Sequence, residues 1–165
     1  MPLSQNIQTL MNEQIKHEFY SSYLYLSMAA WFEAGNLGGS ARWMRIQSQE
    51  ESAHAMKFFD HLLDRGGRVT LGGLEQPPAK FASPLEIFEQ AHQHEQAVSA
   101  KINAIYAAAV KEGDYATQGF LDWFVREQVE EEKTSAQILE TLRMVGDNRA
   151  ALIMLDRELG RRAGE

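Results

Sequence analysis

The sequence contains no cysteine and only four prolines in 165 residues. The absence of cysteine excludes disulfides, thiolate metal ligands and cysteine nucleophiles, and it disfavours a disulfide-stapled secreted fold. The scarcity of proline leaves room for long helices. The longest apolar run covers residues 104–110, far short of the roughly 20 residues that a membrane-spanning helix needs.

The N-terminal residues and the net charge predict where the protein is located and what it does not bind. The first ten residues, MPLSQNIQTL, lack a basic segment followed by an apolar one, so no signal peptide is expected. The formal net charge of −7 disfavours nonspecific binding to nucleic acid and is compatible with handling cations. We therefore expect a cytoplasmic protein that binds neither nucleic acid nor membrane.

Apolar residues recur at intervals of three and four in four long segments, which is typical of amphipathic helices. Cap residues and glycines mark their ends. The predicted helices run from Ser4 as cap to about Ala34, from Ser40 to about Arg65, from Ser83-Pro84 to about Glu112, and from Asp114 as cap to about Val145, with a short fifth helix capped by Asp147 and ending near Leu159.

The lengths and connections predict one fold. Helices of about 26 to 31 residues are about 40 to 46 Å long, which suits a side-by-side bundle. Short links make helices one and two antiparallel, and likewise three and four, whereas residues 67–83 can span up to about 56 Å when extended. We predict an all-α, four-helix up-down-down-up bundle with one long crossover between helices two and three, in a single domain over residues 1–165.

Every long helix carries acid on its apolar face, near one common height along the bundle. Isolated ionised carboxylates are very costly to bury, so such residues must be paired, neutralised or bound to metal. Four glutamates carry −4 when ionised, which balances two divalent ions, and one imidazole adds a nitrogen ligand. This set suits iron or manganese and tolerates zinc. The residues are Glu18, Glu51 with His54, Glu95, and Glu131 with Glu127 and Gln128 beside it.

Simpler interpretations exist for each part of this pattern. A lone Glu-x-x-His on a helix is common on protein surfaces, and Glu18 or Glu95 alone would more often be an exposed position. Residues 130–132 form a charge run, which is usually a solvated face. The coincidence of acids on four helices favours the metal site.

The residues resemble those of the non-haem bacterial and archaeal ferritins. The likeness covers nearly the whole chain, from NEQIKHEFYSSYLYLSMAAWF through WMRIQSQEESAHAMKFFDHLLDRGG and EQPP to FLDWFVREQVEEEK. The resemblance implies a ferroxidase centre in which Glu18 and His54 bind the first iron and Glu51 bridges both irons. Glu95 and Glu131 would bind the second iron, with Gln128 as a further candidate.

The resemblance also implies roles for residues around this centre. Glu50, Glu127 and Glu130 match the acids of a third iron site, and Tyr25 matches a tyrosine beside the irons that donates an electron. A packed core tyrosine that hydrogen-bonds a ligand is the alternative for Tyr25. Ser52 stands where haem-binding relatives have methionine, so no haem is expected. Four histidines and one tryptophan are interpreted as surface and packing residues: His17, His61, His92, His94 and Trp123.

The function implied by the resemblance is iron storage. Fe(II) would be oxidised by dioxygen or hydrogen peroxide, and the ferric mineral would be held in a homo-oligomeric shell of twenty-four subunits, with the fifth helix near the fourfold axes. Two alternatives stay open. A peroxidase-like di-iron oxidoreductase of the same fold is disfavoured because that class uses a cysteine-ligated iron domain. A noncatalytic structural bundle would have no need of buried acids.

Overall fold

The computed structural model describes residues 2–164. Over this range the secondary structure is entirely helical, without strands, and no helix is both long and apolar enough to cross a membrane. The first four helices form the up-down-down-up bundle, and residues 65–83 form the crossover. The fold prediction is therefore confirmed. The helices are α1 (Gln5–Ala34), α2 (Gly38–Asp64), α3 (Pro84–Glu112), α4 (Tyr115–Val145) and α5 (Arg149–Leu159).

Local capping explains where three of the helices begin. Ser4, Ser83 and Asp114 each accept a hydrogen bond from the backbone N–H three residues later, at 3.1 Å, which satisfies a donor at the helix start. The predicted cap of α5 at Asp147 is wrong by one residue. Asn148 is the cap, because its Oδ1 accepts from Ala151 N at 3.1 Å.

The start of α2 depends on a distant residue. Sequence spacing predicts a start at Ser40, but the helix begins at Gly38. Asp156 of α5 accepts hydrogen bonds from Gly39 N at 3.1 Å and Ser40 N at 2.7 Å. A Cβ on Gly39 would lie 1.8 Å from the Asp156 carbonyl oxygen, so glycine permits the close approach of α5. These contacts fix the start of α2 against α5.

The apolar core is divided in two by a polar layer. One cluster includes Phe32, Trp43 and Phe88, and the other includes Phe58 and Phe124. On each long helix the buried acid lies between the residues of the two clusters. This follows from the positions of Glu18 between residues 15 and 24, Glu51 between 44 and 58, Glu95 between 91 and 98, and Glu131 between 124 and 138.

Candidate metal centre

The polar layer contains a compact group of buried ligand side chains. Three sets of side chains each bring their potential ligand atoms within 4.8 Å of one another. Glu51 belongs to two of these sets, one with residues of α1 and α2 and one with residues of α3 and α4. The sets are Glu18 with Glu51 and His54, Glu51 with Glu95 and Glu131, and His54 with Glu127 and Glu131.

Besides the amide oxygen of Gln47, two buried atoms in this layer have no hydrogen-bond partner among residues 2–164. They are Nδ1 of His54 and Oε2 of Glu18, although the two residues are only 3 % and 0 % exposed. Nδ1 of His54 lies 3.4 Å from Glu51 Oε2 and 3.9 Å from Glu18 Oε2, without hydrogen-bond geometry. Because buried polar atoms are nearly always paired, these orphaned atoms fit a cation that lies between them.

Glutamine amides hold the carboxylates in place. Gln14 donates to Glu18 Oε1 at 2.9 Å, and Gln47 donates at 2.9 Å both to Glu51 Oε1 and to Glu131 Oε2. No role was predicted from the sequence for either glutamine. A usable signal was present, because each glutamine precedes its glutamate by four residues, one helical turn.

Glu95 has a different set of partners. The Tyr25 hydroxyl donates to Glu95 Oε1, and the Gln128 amide donates to Glu95 Oε2 at 3.2 Å and to Ser99 Oγ at 3.1 Å. The packed tyrosine that hydrogen-bonds a ligand carboxylate is therefore present, as the alternative interpretation of Tyr25 described. These contacts orient Glu95 toward Glu51 and Glu131.

The shared burial shifts the protonation of the acids. Burial, with the charge of Glu51 next, raises the pKa of Glu95 to about 8. Burial, followed by the charges of Glu95 and Glu51, raises the pKa of Glu131 to about 9, and burial with the Glu51 charge also raises the pKa of Glu18. Burial opposes ionisation of Glu51 as well, but the contacts with His54, Glu18 and Gln47 together outweigh it and lower that pKa. Without metal, Glu95 and Glu131 hence hold protons near pH 7.

The three acids expected at a third site lie in different surroundings. Glu127 is half-buried and shares a ligand set with His54 and Glu131. Glu50 instead forms an ion pair with Arg162 at 2.7 Å, and Glu130 is exposed. Among residues 2–164, neither Glu50 nor Glu130 belongs to any of the ligand sets. The structure therefore brings one of the three acids to the centre.

The four remaining histidines are more enclosed than expected. Each of the histidines interpreted as surface residues is half-buried, because each lies at a seam between helices. His94 Nε2 is 2.6 Å from Ser21 Oγ, His92 Nδ1 is 2.9 Å from Ser135 Oγ, His17 Nδ1 is 3.3 Å from Lys101 Nζ, and the ring of His61 stacks on Phe120 at 4.1 Å.

Two other positions border the centre. Trp123 is half-buried, its ring centroid is 5.3 Å from that of His54, and Lys57 Nζ lies 3.3 Å from the same centroid. Ser52 Oγ is 2.8 Å from Ser22 Oγ, which fixes it at the contact between α1 and α2.

Fold and site together define a four-helix bundle whose core holds a carboxylate-histidine centre supplied by facing helices. Comparison with known proteins makes this assignment more specific. The family model described as "Ferritin-like domain" matches residues 8–145. The bacterial non-heme ferritin of Bacteroides fragilis strain 638R is 42 % identical over 160 residues, which cover 97 % of this chain and 99 % of that protein.

The solved structures agree with this result. Crystal structures of an open-pore ferritin from the hyperthermophilic archaeon Archaeoglobus fulgidus include a chain that matches with a TM-score of 0.96 and 46 % identity, covering 98 % of both chains. A humanized archaeal ferritin matches with a TM-score of 0.98 and 44 % identity over 99 % of both chains. This chain belongs to the ferritin family, within its non-haem members.

Proposed function

We propose that this ferritin stores iron by oxidising Fe(II) with dioxygen at the buried centre and holding the ferric product inside a protein shell. The observation that carries the proposal is the pair of orphaned atoms, His54 Nδ1 and Glu18 Oε2, within a layer of buried acids. The ion pairs formed by residues 2–164 include no lysine or arginine partner for the four core glutamates. Iron is the substrate that supplies the missing positive charge.

The ligand sets support the following proposed roles. Glu18 and His54 bind one Fe(II), Glu51 bridges, and Glu95 with Glu131 binds the second. Gln128 stays close to Glu95 and is proposed as a weaker ligand of that second ion. Because Glu95 and Glu131 hold protons without metal, binding of Fe(II) releases protons, and affinity increases with pH.

Tyr25 is proposed to act on the second ion through Glu95. Its hydroxyl hydrogen-bonds the Glu95 carboxylate, so it orients that ligand. The same contact brings a readily oxidised ring close to the reaction, and we propose that Tyr25 supplies an electron to oxygen reduction. Oxidation of Fe(II) supplies the other electrons that reduce the oxygen.

Storage needs a container that one bundle cannot form, and we propose a homo-oligomeric shell of twenty-four subunits in the cytoplasm. Large apolar side chains left exposed on one subunit support association. Tyr23, Leu26, Leu71 and Leu74 are 42 to 64 % exposed along α1 and the crossover. Light scattering in physiological salt and again in high salt tests the shell, and a monomer or dimer in both would exclude it.

Oxygen consumption after addition of Fe(II) to the metal-free protein tests the activity. We expect rapid uptake by the native protein, and a loss of more than about 100-fold in Glu18→Ala and in His54→Ala, since changes to supporting residues alone cost about 10- to 100-fold. Glu13→Ala, an exposed acid on the same helix, is the matched control and should be fully active. Unchanged rates in both ligand variants would exclude the proposal, and a parallel assay with hydrogen peroxide identifies the preferred oxidant.

A further inference from the structure

A cavity outside the metal centre lies where α1, α3 and the crossover meet. Its volume is about 270 Å³, which is close to the smallest volumes of ordinary ligand pockets. Among residues 2–164, no side chain in its wall belongs to the ligand sets of the metal centre. The side chains in the wall that can contact a polar ligand are Lys16, His17 and Tyr20 of α1, Glu75 of the crossover, and His94 and Lys101 of α3.

The wall contains two lysines whose charge is not matched by acids. The ion pairs formed by residues 2–164 include neither Lys16 nor Lys101. One acid, Glu75, also lies in the wall, but it is exposed and pairs with neither lysine. The cavity therefore has an excess of positive charge, although the formal net charge of the whole chain is −7.

Both lysines are positioned by contacts with neutral groups. Lys101 Nζ lies 3.3 Å from His17 Nδ1. Since an ammonium group can only donate, His17 Nδ1 accepts this hydrogen bond and the ring carries its proton on Nε2. The stem of Lys16 packs against the crossover, because a Cβ on Gly72 would lie 3.0 Å from Lys16 Cδ. Side chains that are already ordered lose less entropy when they bind a ligand.

The two lysine charges act on the same part of the cavity. Burial, followed by the charge of Lys101, lowers the pKa of His17, and the charge of Lys16 lowers it further against an opposing contribution from Glu13. The neutral ring keeps its Nε2 proton as one more donor in the wall. Two ammonium groups and an imidazole N–H are the donors that an oxyanion requires.

We propose that this cavity binds a small oxyanion of the phosphate class, with two negative charges, between the ammonium groups of Lys16 and Lys101. Such an ion neutralises both lysines and accepts charge-assisted hydrogen bonds, which are stronger than those between neutral groups. The half-buried Tyr20 supplies apolar surface for the organic part of a phosphate monoester. This site is separate from iron storage, and the metal-free protein is sufficient to test it.

Calorimetric titration of the assembled, metal-free protein with inorganic phosphate, at neutral pH and constant ionic strength, tests the site. We expect saturable binding of one ion per subunit with a millimolar dissociation constant, because Lys101 is exposed and salt screens its charge. Lys101→Gln should weaken binding roughly 5- to 10-fold, and its combination with Lys16→Gln should abolish saturable binding. Lys111→Gln, exposed on the same helix and outside the cavity, is the matched control and should bind as the native protein does.

The acid in the wall distinguishes an anion site from a cation site. The Glu75 carboxylate repels an anion, so Glu75→Gln should strengthen phosphate binding by about 2- to 5-fold. A cavity that attracts cations would respond in the opposite direction.

Phenyl phosphate, titrated in parallel, distinguishes the two sources of the ligand. Tighter binding of phenyl phosphate than of inorganic phosphate indicates a monoester, and equal binding indicates the free ion. The inference would be overturned if neither probe showed saturable binding, if Lys111→Gln weakened binding as much as Lys101→Gln, or if Glu75→Gln weakened it. Fe(II) binding to phosphate-free samples tests the metal centre separately, so failure of one proposal leaves the other in place.

Discussion

Asp114 at the start of α4 and the glutamates at the middle of the bundle are all buried acids, but among residues 2–164 only Asp114 is paired with a lysine or arginine side chain. Arg65 Nη1 lies 2.9 Å from its Oδ1, and Thr117 donates to it from both its backbone N–H and its hydroxyl, at 3.1 and 2.8 Å. Burial opposes ionisation of Asp114, but the hydrogen bonds from Arg65 and Thr117 and the charge of Arg65 together outweigh it and lower the pKa.

The middle layer has the opposite character. Its acids are kept in place by neutral amides and a tyrosine, the pKa values of Glu95 and Glu131 are raised, and two ligand atoms have no partner among the described residues. The same chain thus contains one buried acid, Asp114, whose charge the protein itself neutralises. It also contains a group of buried glutamates whose charge an external cation would have to neutralise. Buried acid becomes a sign of function when the compensating charge is missing.

The largest expected difference between the two regions is in the pH dependence of the metal-free protein. Glu95 and Glu131 have pKa values of about 8 and 9 when folded, against an ordinary value of 4.5. The folded state therefore binds more protons, and their contribution to stability is complete below about pH 4.5 and is lost as the pH rises through 8 to 9. We expect the Tm of the metal-free protein to fall from pH 5 to 9.

Metal should remove this dependence, because the bound cation replaces the protons. A Zn(II)-loaded sample, which avoids oxidation, should be most stabilised at the alkaline end of the range. Glu95→Gln in the metal-free protein should flatten the profile, whereas Glu89→Gln, at a half-buried position on the same helix, should leave it as it is. A metal-free Tm that rises toward pH 9 would contradict the account.

The next largest effect should come from breaking the pair that the protein completes by itself. Asp114→Ala removes both the carboxylate that Arg65 contacts and the cap of α4, and breaking a buried pair typically costs about 3 to 5 kcal/mol. We expect a clearly lower Tm and an unchanged rate of iron oxidation per folded subunit. Asp122→Ala, at an exposed position on α4, is the control and should shift stability by less than about 0.5 kcal/mol. If Asp114→Ala instead lost the oxidation rate and kept its full stability, Asp114 would belong to the functional centre and the comparison would be wrong.

A smaller effect is expected for the Gln47 amide, which joins the carboxylates of Glu51 and Glu131. Gln47→Leu removes both 2.9 Å hydrogen bonds to Glu51 and Glu131, and loss of such support typically weakens metal binding by about 10- to 100-fold. Calorimetric titration with Zn(II) measures the change. Gln49→Leu, exposed on the same helix, should retain native affinity, and equal affinity in both variants would show that Gln47 has no supporting role.

The smallest expected change in binding is for Tyr25→Phe. One hydrogen bond to Glu95 is lost, which corresponds to roughly a fivefold decrease in affinity for the second ion. If Tyr25 also supplies an electron, the rate of oxidation at saturating Fe(II) falls further than binding does. Tyr23→Phe, half-exposed on the same helix, is the control. A rate that falls no more than the affinity would limit Tyr25 to positioning Glu95.

Local signals in the sequence predicted most of the fold, because Ser4, Ser83 and Asp114 act within one turn of the helices that they cap. The start of α2 was predicted two residues late, since the first-turn N–H groups of Gly39 and Ser40 donate to Asp156, more than one hundred residues away. Helical periodicity likewise brought the four acids and His54 to one face. Periodicity could not show whether Glu127 or Gln128 is the more buried residue. In the structure Gln128 is buried and Glu127 is half-exposed.

Pairs that form only in three dimensions were not predicted. Nothing near Glu50 in the sequence indicates Arg162, which approaches it only because α5 is anchored on α2 by Asp156. The enclosure of His94 has the same origin, since its partner Ser21 belongs to another helix. Spacing along one helix predicts which side of the helix a residue occupies, and the partner on a neighbouring element decides what that residue does.

Anomalous scattering from crystals soaked anaerobically with Fe(II) tests the central claim most directly. We predict two iron peaks in the middle layer, one in contact with Glu18, His54 Nδ1 and Glu51, and the other in contact with Glu51, Glu95 and Glu131, with no peak at the Asp114–Arg65 pair. Iron bound elsewhere while these side chains keep their metal-free contacts would contradict the account.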